Sequence, residues 1–399
     1  MRKLTLDDLR TQGHRVLVRV DFNVPMKDGE ITDDSRMVAS LPTLKRLTRD
    51  GARVILMSHL GRPKGAVDPR YTLEPVARRL ARLMDREIRF IDECVGVLAL
   101  EASETLKDGE ILLLENLRFH SEEEANDPIF SRQLAQLGNL YVNDAFGTAH
   151  RAHASTVGVT KFFQQAAAGP LLERELKYLS LALEHPEHPF VAVLGGAKIS
   201  GKIDVIRNLL ERVDGILVGG AMVYTFYKAR GTPVGESLVE ADRREMAAAT
   251  LQAAEEANVK LSLPVDSIVS TAADGSEEAR ATDGPDIPAG WMGVDLGPKS
   301  IALFEQNLGQ ARTIVWNGPM GIFEVPAFAK GTLAVAQAVA AATRRGATTL
   351  VGGGDSVAAI NRLGFEDHDF SHVSTGGGAF LEFLEGKELP GVAALTDKA

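Results

Sequence analysis

FVAVLGGAKISGKIDVIRNLLERV, residues 190–213, holds three patterns in succession: an apolar run, a glycine-rich turn and a helical repeat. Phe190–Leu194 is apolar at every position, so a strand built from it is buried on both faces, as strands of parallel sheets are. In 203–213, Ile203, Ile206, Leu209, Leu210 and Val213 fall on one helical face. A doubly buried strand feeding a helix through a tight loop is the building block of an α/β sheet. Read from Gly196, the loop is G-A-K-I-S-G-K-I. That is one residue short of the phosphate-binding pattern G-x-x-x-x-G-K followed by Ser or Thr. Ile203 stands where the hydroxyl belongs. The loop is either a variant P-loop or a different way of holding a nucleotide.

The same unit recurs along the chain. Further apolar runs are VLVRV (16–20), RVILM (53–57), IRFI (88–91), ILLL (111–114) and LYV (140–142), then GILV (215–218), KLSLPV (260–265), TIVW (313–316), TLV (349–351) and HVS (372–374). Helical patterns lie between them, at 38–49, 72–84, 203–213, 241–257 and 327–344. The series runs twice, and GPLLERELKYLSLALEHPEHP (169–189) separates the two sets. The expected fold is α/β, with two doubly wound parallel-sheet, Rossmann-like domains joined by a helix and a cleft between them. Residues 1–170 form the first domain, 171–189 the interdomain helix and hinge, and 190–385 the second.

Composition narrows the function. The 399 residues include 44 Lys and Arg against 54 Asp and Glu, a net charge of −10. Such a chain is not a general nucleic-acid binder, so any anion site must be a local cluster of bases. The single cysteine, Cys94, excludes a disulfide framework and a cysteine metal site. No signal pattern or membrane-length apolar run is present, so a cytoplasmic protein is expected by default.

Ligands of such sheets bind beyond the carboxyl ends of the strands. In the first half, those ends lead into DFNVP (21–25), SHLGRP (58–63), ENLRFH (115–120) and NDAFGTAHRAH (143–153). His59, Arg62, Arg118, His150 and Arg151 collect there, and Arg36 joins them just after the expected cap residues Asp34 and Ser35. Arginine's planar fork suits phosphate and carboxylate, so this half is expected to hold a small, highly charged anion. In the second half the strand ends lead into GGAK (195–198), GGAM (219–222), WNGPMG (316–321), GGGDS (352–356) and STGGGA (374–379). Glycines bring bare N–H groups close to a ligand, and a glycine loop opening a helix presents its positive end to phosphate. Lys198 and Lys202 add point charges, and Asp355 is a candidate Mg2+ partner. The absence of G-x-G-x-x-G weakens a dinucleotide oxidoreductase, and the absence of H-E-x-x-H a zinc hydrolase. An anion domain joined to a nucleotide-phosphate domain suits a phosphoryl transferase.

The segments VDFNVP, SHLGRP, LLENLRF, NDAFGTAHRAHAST, LGGAKIS, WNGPMGIFE, GGGDS and STGGGA, in this order over nearly the whole chain, resemble the phosphoglycerate kinase family. The resemblance implies a monomeric cytosolic enzyme of glycolysis, with Mg2+ and ATP or ADP in the second domain and 3-phosphoglycerate or 1,3-bisphosphoglycerate in the first. It also implies that the C-terminal stretch, about 386–399, packs back on the first domain. Substrate would be held by Asp21, Phe22, Asn23, Arg36, His59, Leu60, Gly61, Arg62, Arg118 and Arg151. Nucleotide would be held by Gly196, Ala197, Lys198, Lys202, Gly293, Glu324, Gly352, Gly353, Gly354, Asp355 and Ser356, with Asp355 on the metal and GWMG (290–293) bordering the adenine. Arg36, Lys198 and the backbone at Gly376 and Gly377 would act on the phosphoryl group in transfer. One departure is Gly201, where the family usually carries an acidic residue. Two rival readings remain: a P-loop-like NTPase, which would turn over without a glycerate, and a catalytically silent nucleotide-binding protein, which would be expected to lack Arg36, Lys198 or Asp355.

Overall fold

A computed structural model describes residues 3–398. Two compact units emerge. The first runs through Leu176 and takes up the chain again from Glu388; the second is Lys177–Lys387. The division falls inside the helix Pro170–Leu183.

The first unit contains β1 (Arg15–Val20), a small hairpin of β2 (Met26–Lys27) and β3 (Glu30–Ile31), then β4 (Arg53–Met57), β5 (Arg89–Phe90), β6 (Ile111–Leu113), β7 (Leu140–Asp144) and β8 (Ala166–Ala168). Six of them make one parallel sheet in the order β5-β6-β4-β1-β7-β8. The chain builds outward from β1 in one direction, then returns to add β7 and β8 on the other side. The crevice at such a reversal, beyond the carboxyl ends of β1 and β7, is where open α/β sheets bind ligands. On one face Val16, Val18 and Val20 pack with Met37, Leu44 and Leu47 of the helix Ser35–Arg49 and with Val76, Ala77 and Leu80 of Glu74–Met84. Each such valine, leucine or methionine side chain contributes roughly 1.5–3 kcal/mol on burial.

Local chemistry sets the element ends. The helix expected from residue 38 starts at Ser35. Asp34 sits at its N-cap without capping it: its carboxylate takes Arg79, 2.5 Å away, and Asp33 accepts from the Ser35 N–H at 2.8 Å. The helix Pro170–Leu183 is capped from β7, where buried Asp144 accepts from the N–H groups of Leu171 (2.9 Å) and Leu172 (3.3 Å). Burial pushes the Asp144 carboxyl up to about 6. A Cβ at Gly169 would lie 2.2 Å from the Asp144 oxygen, so the approach needs glycine. The last residues lie against β8 within the first unit: Thr396 N–H donates to Ala166 (2.9 Å), and Leu4 N–H to Thr396 (2.8 Å).

The second unit contains β9 (Phe190–Leu194), β10 (Gly215–Val218), β11 (Lys260–Ser262), β12 (Ser267–Ser270), β13 (Ala279–Ala281), β14 (Met292–Leu296), β15 (Thr313–Asn317), β16 (Thr348–Gly352) and β17 (His372–Val373). Its parallel sheet has the order β11-β10-β9-β15-β16-β17, with the reversal between β9 and β15. Trp316, Val193 and Ile314 are buried against Phe304, Leu308, Val335 and Val339 of the covering helices. An antiparallel sheet, β13-β12-β14, stands apart from the parallel one. The sequence reading has no place for it, because strands such as SIVS are short and only half apolar. Met292 and Gly293 of GWMG (290–293) belong to β14. Among the described residues no helix is long and apolar enough to cross a membrane.

Candidate functional site

At the carboxyl end of the first sheet, the segment after β1 turns back on itself and is held by the segments after β4 and β6. Phe22 N–H donates to Ser58 Oγ (2.9 Å), and Asn23 Oδ1 accepts from Gly61 N–H (2.9 Å). Arg36 reaches over from its helix to Asp21 Oδ2 and the Asn23 carbonyl, both at 3.1 Å. Arg118 donates to the Gly61 carbonyl (2.8 Å), and its Nε lies 3.2 Å from Glu124. Asp21, Asn23, Arg36, Leu60, Gly61 and Arg118 are thus one hydrogen-bonded group. Arg36 and Arg151 are half-buried, and Arg62 is exposed with no partner among the described residues. Arg151 donates to His150 Nε2 (3.1 Å). His59 and Arg118 are each only 5% exposed. Burial and the neighbouring guanidinium groups hold His59 well below the usual imidazole range, and burial lowers Arg118. The same causes bring His153 down to about 4.

Sequence reading misses the buried polar residues that support this surface. Asn116 is fully buried and uses its whole carboxamide. Its Oδ1 accepts from Leu60 N–H (3.2 Å) and Arg118 N–H (3.1 Å), and its Nδ2 donates to the carbonyls of Leu60 (2.8 Å) and Tyr71 (2.9 Å). Glu115 accepts from Thr72 Oγ1, Leu73 N–H and Asn116 N–H. Arg19, in the middle of an apolar strand, donates to Ser155, which donates in turn to Glu123. A polar residue inside an otherwise apolar run is the sequence feature that marks such positions.

At the carboxyl end of the second sheet, three loops are laced together by backbone. Gly195 N–H donates to Asn317 (2.9 Å), Gly196 N–H to Pro319 (3.0 Å), Gly220 N–H to Met320 (3.0 Å) and Met222 N–H to Gly196 (3.1 Å). Gly220 has φ +69°, and a Cβ there would lie 2.5 Å from Gly196 N, so no side chain fits. Ser356 Oγ accepts from Gly318 N–H (2.6 Å) and donates to the Gly352 carbonyl (2.8 Å). The GGG and TGGG loops also meet: a Cβ on Gly377 would be 3.0 Å from Gly354 N. Gly354–Arg362 and Gly377–Leu384 are helices opening at these loops, with Asp355 exposed in the first turn of one and Gly376 at the N-cap of the other.

The two lysines differ. Lys198 and its neighbour Ala197 are exposed. Lys202 is half-buried and donates to Asn317 Oδ1, while Asn317 Nδ2 donates to Gly352 (2.7 Å). Burial brings the Lys202 ammonium down to about 8, against the opposing charges of Asp355 and Glu385. Asn317, buried at the end of β15, is a further polar residue that sequence reading did not single out. Glu240 accepts from Ser200 Oγ (2.6 Å) and N–H (3.1 Å), tying down the loop that carries Lys198. Gly201 is exposed, and a Cβ there would meet open space, so packing does not require glycine. Exposed Glu324 has its backbone carbonyl on Arg362 (2.8 Å), and Gly293 N–H donates to Ser237 (2.9 Å).

Comparisons with known proteins agree with this arrangement. The sequence model of the family described as phosphoglycerate kinase matches residues 6–387. The phosphoglycerate kinase of Chlorobium phaeovibrioides is 55% identical over 398 residues, covering 100% of both chains. That of Chlorobaculum tepidum is 56% identical over the same length and coverage. The solved phosphoglycerate kinase of Coxiella burnetii superposes with a TM-score of 0.90 at 42% identity, covering 98% of each chain. That of Pyrococcus horikoshii gives 0.82 at 34% identity, again with 98% of each covered. The chain belongs to the phosphoglycerate kinase family.

Proposed function

We propose that the protein catalyses the reversible transfer of a phosphoryl group between 1,3-bisphosphoglycerate with ADP and 3-phosphoglycerate with ATP. The observation that carries this reading is the contrast between the two strand-end sites. One unit places Arg36 on Asp21 and Asn23 and Arg118 on Gly61 beside them, with Arg62 and Arg151 on the adjoining strand-end loops, which suits a small molecule bearing carboxylate and phosphate. The other gathers glycine loops that open helices, two lysines and Asp355, which suits nucleotide phosphates.

In this reading Arg36, Arg62, Arg118 and Arg151 hold the glycerate anion and Asn23 its hydroxyl region. Lys202 and the amides of 352–354 hold nucleotide phosphates. Lys198, Arg36 and the amides at Gly376 and Gly377 neutralise the charge that spreads over the phosphoryl oxygens during transfer. The acceptor oxygens are already ionised at neutral pH, so no general base is required.

Mg2+ is part of the proposal. Asp355 is an exposed carboxylate beside the glycine loop, and no cluster of three His, Cys, Asp or Glu occurs among the described residues. That donor set fits an ion that arrives on phosphate oxygens and takes one protein carboxylate. Bound there, it would supply positive charge to the phosphates.

In-line transfer needs the reacting atoms roughly 3–3.5 Å apart, so the proposal includes closure of one unit on the other, with the helix Pro170–Leu183 and its flanks as hinge. It also includes a monomer in the cytoplasm acting on small molecules, without nucleic-acid or membrane partners. The test is a coupled assay of ADP formation from ATP. The rate should depend on 3-phosphoglycerate and Mg2+; ADP formation at the same rate without the glycerate would reject the reading.

A further inference from the structure

The pocket histidine is wired to a buried arginine that touches no expected ligand group. Arg19 lies in β1 and is 1% exposed. Its guanidinium donates through Nε to Ser155 Oγ (2.9 Å) and through Nη1 to the Val20 carbonyl, and Nη2 lies 3.1 Å from His59 Nδ1. Ser155 passes the contact on: Oγ donates to Glu123 Oε1 (2.5 Å) and N–H to Oε2 (2.9 Å). Glu123 is fully buried; burial raises its carboxyl above the usual range, and the Arg19 charge opposes that rise.

A guanidinium has five donors and no acceptor, and it stays protonated in proteins. Its contact with His59 Nδ1 is a hydrogen bond only if Nδ1 is the bare, accepting nitrogen. The proton of the neutral ring is then on Nε2. A protonated ring would set N–H against N–H and one cation against another. We propose that Arg19 is a positioning residue that fixes His59 as the neutral, Nε2-protonated tautomer, so that His59 meets substrate as a directional hydrogen-bond donor and not as a cation. The charged groups facing His59 agree: Arg19 from β1, Arg118 from the turn after β6, Arg36 from the helix Ser35–Arg49 and His153 from the loop after β7 all oppose its protonation. The anion charge is left to the arginines. The substrate named here rests on the proposed function; the tautomer does not.

The test has two arms. In the free wild-type protein, nitrogen NMR of 15N-histidine-labelled chain shows which ring nitrogen carries the proton, with the His59 signal assigned by its loss in His59→Gln. The expected result is one ring, protonated at Nε2, that does not titrate between about pH 5 and 8, where an ordinary imidazole does. A His59 ring protonated at Nδ1, or one that titrates in this range, overturns the proposal whatever the enzyme's activity. In the second arm, Arg19→Leu/Glu123→Gln removes both ends of the Arg19–Ser155–Glu123 chain. Burial, Arg118 and Arg36 still oppose protonation of the His59 ring, so it stays neutral, but the donor facing Nδ1 is gone and the nitrogen spectrum should show both neutral tautomers. A His59 ring that remains wholly Nε2-protonated in the folded variant overturns the positioning role. An inactive wild-type enzyme would reject the functional reading and leave the NMR result standing.

Discussion

Replacing Asn116 with alanine tests whether the substrate surface is held from behind. The carboxamide satisfies two buried donors, the N–H groups of Leu60 and Arg118, and two acceptors, the carbonyls of Leu60 and Tyr71. Alanine leaves all four without that partner. A buried donor without an acceptor costs about 1–3 kcal/mol, so the two N–H groups alone give about 2–6. Water entering from the half-buried Tyr71 side recovers part of this, and a loss of about 3 kcal/mol is expected. Both tryptophans, Trp291 and Trp316, lie in the second unit, so tryptophan fluorescence does not report on the first. Native-state amide exchange in β1 and β4 does, and should accelerate about a hundredfold for that loss. The loop 58–62 and Arg118 lose their common anchor, so the KM for 3-phosphoglycerate should rise about tenfold while kcat at saturation stays within about threefold. Exchange within about twofold of wild type, with an unchanged KM, would refute the claim that Asn116 positions this surface.

Three further outcomes follow from the second unit. Lys198→Ala should lower kcat on the order of 100-fold, the scale of losing one preorganised charge-stabilising donor; near-normal turnover at saturation would remove Lys198 from the mechanism. Asp355→Asn should weaken Mg-nucleotide binding in calorimetry and leave 3-phosphoglycerate binding intact, whereas equal weakening of both would make Asp355 structural. Lys202 falls from 10.5 to about 8 on folding, so the unfolded chain binds more protons between these values and this group's contribution to stability rises with pH across them. Nucleotide phosphate would restore the ammonium, so binding at about pH 9 should take up a proton. Calorimetry in two buffers of different ionisation enthalpy measures it, and identical heats would exclude Lys202 from the phosphate site.

The parallel sheets were legible because their strands are apolar on both faces, and all eleven expected runs carry strands of the two sheets. β8 escaped because its sequence, AAA (166–168), is too small to stand out, and β12 to β14 because an antiparallel sheet with one open face has no apolar run. The proposed site residues that follow strand ends or open a helix, such as Arg36, Arg62 and Lys198, stand out by position and residue type. Those that act from inside do not: Arg19 and Asn116 sit within apolar stretches, Asn317 beside a glycine and Glu123 in a run of three glutamates, and their partners are distant in sequence, 136 residues for Arg19 and Ser155. Hydrogen bonding of buried groups is nearly obligatory, but which distant group supplies the bond is a matter of topology.

The resemblance of GAKISGKI to a P-loop ends in the packing of one side chain. In a P-loop the residue after the lysine carries a hydroxyl to Mg2+, and the lysine reaches the phosphates. Here that residue is Ile203, which begins the helix Ile203–Leu209 and is 3% exposed, set in the interior with Val205, Ile206 and Leu209. A hydroxyl at this position would be buried in apolar surroundings. The preceding lysine, Lys202, donates to Asn317 at the end of β15, across the sheet's point of reversal. The carboxylate proposed for magnesium, Asp355, comes from beyond the next strand, β16. Pieces that a P-loop draws from one turn of chain are here divided among the ends of three strands, β9, β15 and β16. Local pattern matching therefore finds the glycines and the lysine but points a metal at a buried isoleucine, and the near match carries no support for a hydrolase that works without a glycerate.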